Sequence, residues 1–369
     1  MEIYMAHKIK TIAVMTGGGD CPGLNAVIRA VTKTALTQYG MKVWGIEDGY
    51  LGLLEKRLRP LSYRDVSHIL ESGGTILGSN NTTNPSSYPV KNKAGKVIFK
   101  DLSKVCVKTL KEKKIDALIC IGGDGTMTSA ARLAKNGLTI IGVPKTIDND
   151  LWGTDVTFGF DTAVTTAAEA IDKLRTTASS HHRIMVVEVM GRYAGWIALH
   201  SGVASGGDVI LIPEIPYSLK KICEFVKERN KWGKSYSIIV VAEGAKEIGG
   251  ELIVRQKIAF SPEQIRLGGI ANKVAGEIEL ATGLETRSVT LGYIQRGGSP
   301  TPYDRVLATG FGYKAMELLV SGVKNHLVVL KGNKLSSVPL SQVAGKVRNV
   351  PKDHPLIKAA RAVNTCFGD

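Results

Sequence analysis

The sequence predicts an α/β fold, in which mainly parallel sheets are covered by helices on both faces. Short apolar runs rich in Val, Ile and Ala alternate with longer segments of helical periodicity along nearly the whole chain. Glycine-rich or polar motifs follow directly after six of those runs, and in open α/β sheets the ligand sites lie beyond the carboxyl ends of strands. At 369 residues the chain is long enough for two lobes and a sizeable buried core.

The first run, residues 11–16, ends at three successive glycines and is followed by a helical pattern over 24–38 and a strand over 42–46. Residues 81–100, with Pro85, Pro89, Gly95 and many polar side chains, read as an irregular surface insertion beside the motif Gly73 to Ser79. Strands at 117–121 and 139–143 bracket a helix at 126–135. A helix at 163–174 leads to strands at 183–189 and 209–212, a helix at 219–230 to a strand at 237–242, and a helix at 269–282 to a strand at 287–291. A last helix spans 303–319. The loops after Thr16, Ile121, Val143, Val189, Ala242 and Leu291 are therefore expected on a common rim.

The formal charge of +15 invites a nucleic-acid reading. The basic residues are spread over three stretches without interleaved aromatics or a binding motif, so no nucleic-acid partner is expected. Five scattered cysteines without Cys-x-x-Cys spacing argue against a disulfide framework and a thiolate zinc site. No apolar run reaches the roughly 18 residues that span a bilayer, and residues 1–5 lack a signal-peptide pattern; a cytoplasmic protein without membrane contact is expected.

Three motifs carry chemistry. Gly17-Gly18-Gly19-Asp20 joins a strand to a helix whose first amides are available to an anion, although such turns are often only structural. In Gly122-Gly123-Asp124-Gly125-Thr126 the acid suits magnesium, and a helix N-cap is its alternative role. The turn Pro144-Lys145-Thr146-Ile147-Asp148-Asn149-Asp150 concentrates two acids, a hydroxyl and a lysine. An Asx-type turn explains one acid there but not the whole set. Such a set suits phosphoryl transfer onto a hydroxyl, with Asp148 as candidate base and Asp150 in support. Met190-Gly191-Arg192, Glu243, Arg287 and Arg296 fall at or beyond strand ends; guanidinium groups could hold a sugar phosphate while Glu243 accepts sugar hydroxyls.

Taken in order, the glycine loop 16–25, Gly122 to Thr126, Thr146 to Asp150, Met190 to Gly195 and Leu291-Gly292-Tyr293-Ile294-Gln295-Arg296-Gly297-Gly298-Ser299-Pro300 resemble the 6-phosphofructokinase family over nearly the whole chain. A lone Gly-Gly-Asp-Gly-Thr also occurs in NAD and lipid kinases; the motif ending at Arg296 to Ser299 disfavours them. The resemblance implies two similar three-layer lobes with mainly parallel sheets and the active site between them. A donor lobe would comprise 1–159 with 295–345, and a sugar-phosphate lobe 160–294 with 346–369. It implies Mg2+, ATP and fructose 6-phosphate, phosphorylation at the 1-hydroxyl, and a homodimer or homotetramer.

Carried over residue by residue, Asp148 is the base, with Thr146, Asp150 and Lys145 beside it. Asp124 binds magnesium, and Gly19, Gly123, Gly125 and Thr126 line the donor site. Met190, Gly191, Arg192, Glu243, Arg287, Tyr293 and Arg296 hold the sugar phosphate, and Arg183 reaches in from a neighbouring subunit.

Donor selectivity rests on Gly125 and Lys145. Pyrophosphate users of the family share the lysine but typically have aspartate in place of Gly125, where it would repel a nucleotide; glycine points to ATP, with pyrophosphate as the alternative. Many members carry an arginine after the Leu-Gly-Ser element, whereas here Asn80 follows Ser79. Lys145 is expected to supply part of the missing charge. The lost arginine also motivates a non-catalytic, regulatory reading, which the intact Asp124, Asp148 and Asp150 oppose. Of the effector-binding basic positions of short bacterial enzymes, Arg29, Arg175 and Lys234 remain, Lys33 is conservative, and Tyr63 and Trp232 replace arginines.

Overall fold

Two sheets organise the chain in the computed structural model, which describes residues 9–93, 95–258 and 265–369. Residues 1–5, read above for a signal pattern, lie outside the described residues. The strands are β1 (Thr11–Thr16), β2 (Lys42–Ile46), β3 (Leu58–Leu61), β4 (Tyr88–Lys91), β5 (Val97–Lys100), β6 (Ala117–Gly122), β7 (Thr139–Pro144) and β8 (Ile184–Val189). They continue as β9 (Val209–Leu211), β10 (Ser237–Ala242), β11 (Val254–Lys257), β12 (Ile265–Leu267), β13 (Thr286–Thr290), β14 (His326–Lys331) and β15 (Lys334–Pro339). The larger sheet has the order β15-β14-β7-β6-β1-β2-β3, parallel except at its two edge strands. The smaller sheet, β13-β8-β10-β9, is parallel throughout.

Alternation along the strands explains the layering, because successive side chains of a strand point to opposite faces. Ile12 and Val14 of β1 join a core shared with the smaller sheet through Met185, Val187, Ile238 and Val240. Ala13 and Met15 turn to a second core behind the larger sheet, and Ile184, Val186, Ile239 and Val241 to a third behind the smaller one.

The helices are α1 (Leu24–Tyr39), α2 (Tyr50–Glu55), α3 (Ser103–Glu112), α4 (Asp124–Lys135), α5 (Phe160–His181), α6 (Trp196–Ala204), α7 (Leu219–Lys231), α8 (Ile270–Thr282), α9 (Pro302–Val320), α10 (Leu340–Val343) and α11 (Pro355–Ala362). None of those described is long and apolar enough to cross a membrane.

Besides elements that were not expected, such as α6 and the β14–β15 hairpin, the structure departs from the expectations as follows. The insertion at 81–100 contains the hairpin β4–β5, so it is only partly irregular. Helix α5 runs from Phe160 to His181 and so exceeds the expected 163–174 at both ends. The C-terminal residues return to the body of the molecule: Val347 bridges Leu151, Cys366 bridges Val209, and Phe367 is buried.

Candidate active site

The parallel registers place the carboxyl ends of β1, β6 and β7 side by side. The first glycine loop is tied to that rim by its backbone, with Gly17 N donating to Ile121 O at 2.9 Å and Gly18 N to Asn80 O at 3.1 Å. Gly18 has φ +81°, a left-handed conformation that glycine adopts without penalty. Thr16 Oγ1 donates to Gly78 O at 2.6 Å and Ser79 Oγ to Gly18 O at 2.6 Å, which places the motif Gly73 to Ser79 against this loop. Asn80, which follows Ser79, accepts through its side-chain Oδ1 from Thr82 N and Thr83 N at 3.0 and 2.8 Å and so closes a local turn.

Asp124 opens α4 behind Gly123, where a carboxylate favours the positive end of the helix. A Cβ added at Gly125 would meet nothing within 4 Å, whereas one at Gly122 would collide with the side chain of Thr126. Lys145 N donates to Gly122 O at 3.0 Å, drawing the turn after β7 against this loop. The Lys145 ammonium is buried and donates to Gly19 O. Burial holds its pKa below the usual lysine range, with Cys21 opposing and Arg296 adding to the shift.

The turn itself is held tightly. Asp148 N donates to Thr146 Oγ1 at 3.1 Å, and Thr157 N and Oγ1 donate to Asn149 Oδ1 and Thr146 O at 3.0 and 2.7 Å. Asn149 sits at φ +52°, and the Arg348 backbone N–H reaches Asp150 O at 2.7 Å. Asp150 is buried, and its carboxyl is pushed up to about 7 by that burial and by the fields of Asp148 and Asp124.

The smaller sheet supplies the opposite wall. Glu243 N donates to Val189 O at 2.9 Å and Gly244 N to Gly191 O at 3.2 Å, which puts Glu243 beside Met190, Gly191 and Arg192. Burial, Asp148 and Glu188 push the Glu243 carboxyl up to about 7, against the pull of Arg296 and Arg192. Arg296 ends the short 3-10 helix Gly292–Arg296 and donates to Asp20 O at 3.2 Å, packing on Gly19. It thus leans on the loop expected to hold the donor, although the sequence places it with the sugar phosphate. Its Nε is buried with no hydrogen-bond partner among the described residues. Tyr293 lies on the same short helix, 72% exposed.

Arg183 and Arg287 are not brought to this rim by their own chain. Arg287 pairs in register with Met185 near the start of β8, whereas Met190 follows the end of that strand. Five residues of strand separate the two levels by roughly 16 Å. Both arginines share Glu285, at 2.8 Å from Arg183 Nε and 2.6 Å from Arg287 Nη2.

Magnesium fits the acid set on one observation: the buried carboxyl of Asp150 is pushed up by its burial and further by the nearby charges of Asp148 and Asp124, which a cation there would offset. Among the described residues no group of three or more His, Cys, Asp or Glu is placed to hold a metal by itself. Asp124 would hold a magnesium ion through its carboxylate, an oxygen donor of the kind this hard cation takes.

Sequence reasoning assigned no part to Arg348. It holds the turn that ends at Asp150 from 198 residues away, a pairing that no local signal announces.

Similarity to known proteins agrees with this geometry. The chain is 54% identical over 366 residues, 99% of its length and all of the relative's, to ATP-dependent 6-phosphofructokinase 2 of Clostridium perfringens. It is 48% identical over 345 residues to the pyrophosphate–fructose 6-phosphate 1-phosphotransferase of Amycolatopsis methanolica, covering 93% of this chain and 96% of that one. Among solved structures, Pichia pastoris phosphofructokinase in the T-state superposes with a TM-score of 0.78 at 32% identity over 91% of this chain, which spans only 35% of that longer chain. The phosphofructokinase family model matches residues 11–319. With that match covering most of its length, the chain belongs to the phosphofructokinase family.

Proposed function

We propose that this enzyme transfers the terminal phosphoryl group of ATP to the 1-hydroxyl of fructose 6-phosphate, giving fructose 1,6-bisphosphate in glycolysis. The observation that carries the reading is the position of Asp148, whose field acts on Asp150 of its own rim and on Glu243 of the opposite one. A carboxylate between a phosphate-binding loop and a sugar-binding wall is where a base for hydroxyl attack belongs. Asp148 accepts the hydroxyl proton, while Thr146 and Asn149 fix the turn that aims it. Asp124 holds Mg2+, which when bound offsets the charge on the transferring phosphate. Glu243 accepts sugar hydroxyls, and Met190, Gly191, Arg192 and Tyr293 line the sugar side. Gly19, Gly123, Gly125 and Thr126 line the donor side. Arg296 connects the two sides through its bond to Asp20 O. Transfer is direct, since no nucleophile in this set is placed to form a phosphoenzyme.

Lys145 brings a buried cation to Gly19 and carries part of the charge that the arginine after the Leu-Gly-Ser element supplies in other members. The two sheets support a division into a donor lobe of 1–159 with 295–345 and a sugar-phosphate lobe of 160–294 with 346–369. The chain acts in the cytoplasm as a homodimer or homotetramer, in which Arg183 and Arg287 serve a neighbour's sugar phosphate. Their distance from their own rim supports that arrangement.

ATP as donor rests on the open space at Gly125 and on relatives named as ATP-dependent. Lys145 and the Amycolatopsis relative favour pyrophosphate as the second reading. Each donor is added separately to fructose 6-phosphate and Mg2+, with wild type and Gly125→Asp. Wild type should turn over ATP, and the aspartate should lower kcat/KM for ATP by about 10-fold or more, since an added like charge costs upwards of 1 kcal/mol. A wild-type rate with pyrophosphate well above that with ATP overturns the donor assignment.

A further inference from the structure

The turn that carries Asp148 contains a backbone conformation that needs holding. Asn149, between the two acids, sits at φ +52°, in the left-handed region that non-glycine residues occupy at a cost and keep where their surroundings fix them. Its side chain is fixed from close by, since Asn149 Oδ1 accepts from Thr157 N at 3.0 Å and from Thr157 Oγ1 at 3.3 Å. Its carbonyl is fixed from far along the chain. Arg348 Nη1 donates to Asn149 O at 3.1 Å, and the Arg348 backbone N–H donates to Asp150 O at 2.7 Å. One residue thus takes both carbonyls that close the turn after Asp148, and any rotation about Asn149 swings the two acids relative to each other.

Arg348 is itself anchored on the sugar wall. Its guanidinium lies 4.1 Å from the ring of Trp196, a buried residue that opens α6 directly after the motif Met190 to Gly195. Trp196 Nε1 donates in turn to Arg348 O at 2.9 Å. The neighbours of Arg348 make the same connection: Val347 bridges Leu151, and Asn349 Nδ2 donates to Tyr193 O. Val350 N donates at 2.8 Å to Glu214 Oε1, which also accepts from Gly195 N at 3.0 Å. Residues 347–350 therefore run between the acid turn of the larger sheet and the loop that carries Arg192 on the smaller one. A planar guanidinium can stack on an indole while it directs an N–H at a carbonyl, which an ammonium on a flexible stem does not combine.

We infer that Arg348 is a positioning residue for phosphoryl transfer: through Asn149 O and Asp150 O it sets the direction of the Asp148 carboxylate, from an anchor on the sugar wall. Its effect passes through Asp148, and the inference rests on the proposed role of Asp148 as base.

A double-mutant cycle tests it, with kcat and both KM values measured on purified enzyme with Mg2+. Arg348→Ala should lower kcat about 10²-fold, the scale of a misplacement near 1 Å, while KM for fructose 6-phosphate and for ATP stays within about three-fold of wild type. Arg348→Lys keeps a cation but loses the fork, and should leave kcat lowered about ten-fold. In the Asp148→Asn background, where no base remains to be aimed, either substitution should change kcat by less than about two-fold. A general loosening of the structure would instead lower the rate again in that background.

A full further loss on top of Asp148→Asn, a loss confined to KM, or a wild-type kcat in Arg348→Ala or Arg348→Lys would overturn the inference. The lysine arm decides the matter by itself if the alanine variant does not fold. Asp148→Asn losing less than ten-fold would remove the base from the proposed reaction and take this inference with it, a failure read from that single variant alone.

Discussion

The two ends of the four-stranded sheet treat their carboxylates in opposite ways. At the carboxyl end Glu243 is pushed up to about 7, chiefly by burial. At the amino end Glu285 is held below the usual carboxylate range by its hydrogen bond to Arg183. The first is kept out of water among other acids; the second is solvated and neutralised by two arginines. Desolvated, crowded carboxylates suit proton transfer and hydroxyl recognition, whereas exposed arginines bound to an exposed acid can exchange that acid for a phosphate at little cost. One sheet therefore carries buried, crowded acids at one end and paired arginines at the other, the end that the proposed oligomer would turn toward a neighbouring copy.

The largest test of this contrast removes the base. Asp148→Asn should lower kcat about 10³-fold at saturating substrates with an unchanged thermal midpoint, within the range for loss of general base catalysis. A loss under ten-fold would remove Asp148 from that role.

The next test concerns the other end of the sheet. Arg287→Ala and Arg183→Ala should raise KM for fructose 6-phosphate about 10²-fold with little change in kcat, the scale of a lost charged hydrogen-bonded partner. Asp148→Asn chains co-expressed with Arg287→Ala chains should regain activity, because a mixed oligomer contains one site with both groups intact. No recovery would mean that the arginines act within their own chain, and the comparison between the two ends would break.

A third test reads the buried end through pH. The folded pKa of Glu243 lies above its ordinary 4.5, so between about 4.5 and 7 the native state binds more protons than the unfolded state. Its contribution to stability is full below that window and declines as pH rises through it. Glu243→Gln should flatten the fall by on the order of 2 kcal/mol, measured as urea unfolding of the ligand-free enzyme from pH 5 to 8.

The smallest effect is expected at the buried cation. Lys145→Ala should lower kcat about ten-fold, well short of the roughly 10³-fold that a dedicated transition-state charge supplies, because Lys145 carries only part of that charge. Turnover nearly equal to wild type would mean that the missing arginine is replaced elsewhere, with Arg296 on Gly19 the next group to vary.

Much of the fold was legible. The bounds of β1, β2 and β10 follow directly from apolar runs closed by glycine or charged residues. Helices α1, α4, α7, α8 and α9 differ from their expected spans by one or two residues at an end. Helix α6 was missed because its residues are apolar nearly throughout and buried, so that no period stands out. The β14–β15 hairpin did leave a signal, an apolar run followed by Gly332-Asn333. Its place beside β7 depends on a pairing of His326 with Ile141 that no local pattern contains.

The sequence by itself determined the loops, the acids and their order, because glycine conformations, strand ends and charge are local properties. It also placed Arg183 and Arg287 at the start of their strands. Only the tertiary structure decided what those groups experience. Burial and the approach of Asp148 and Asp124 raise Asp150, and the sheet register carries Arg287 away from Glu243. The folding back of the C-terminal residues sets Arg348 on the turn that ends at Asp150. Desolvation and long-range contact depend on what the rest of the chain places nearby in space, and that information is spread over the whole sequence.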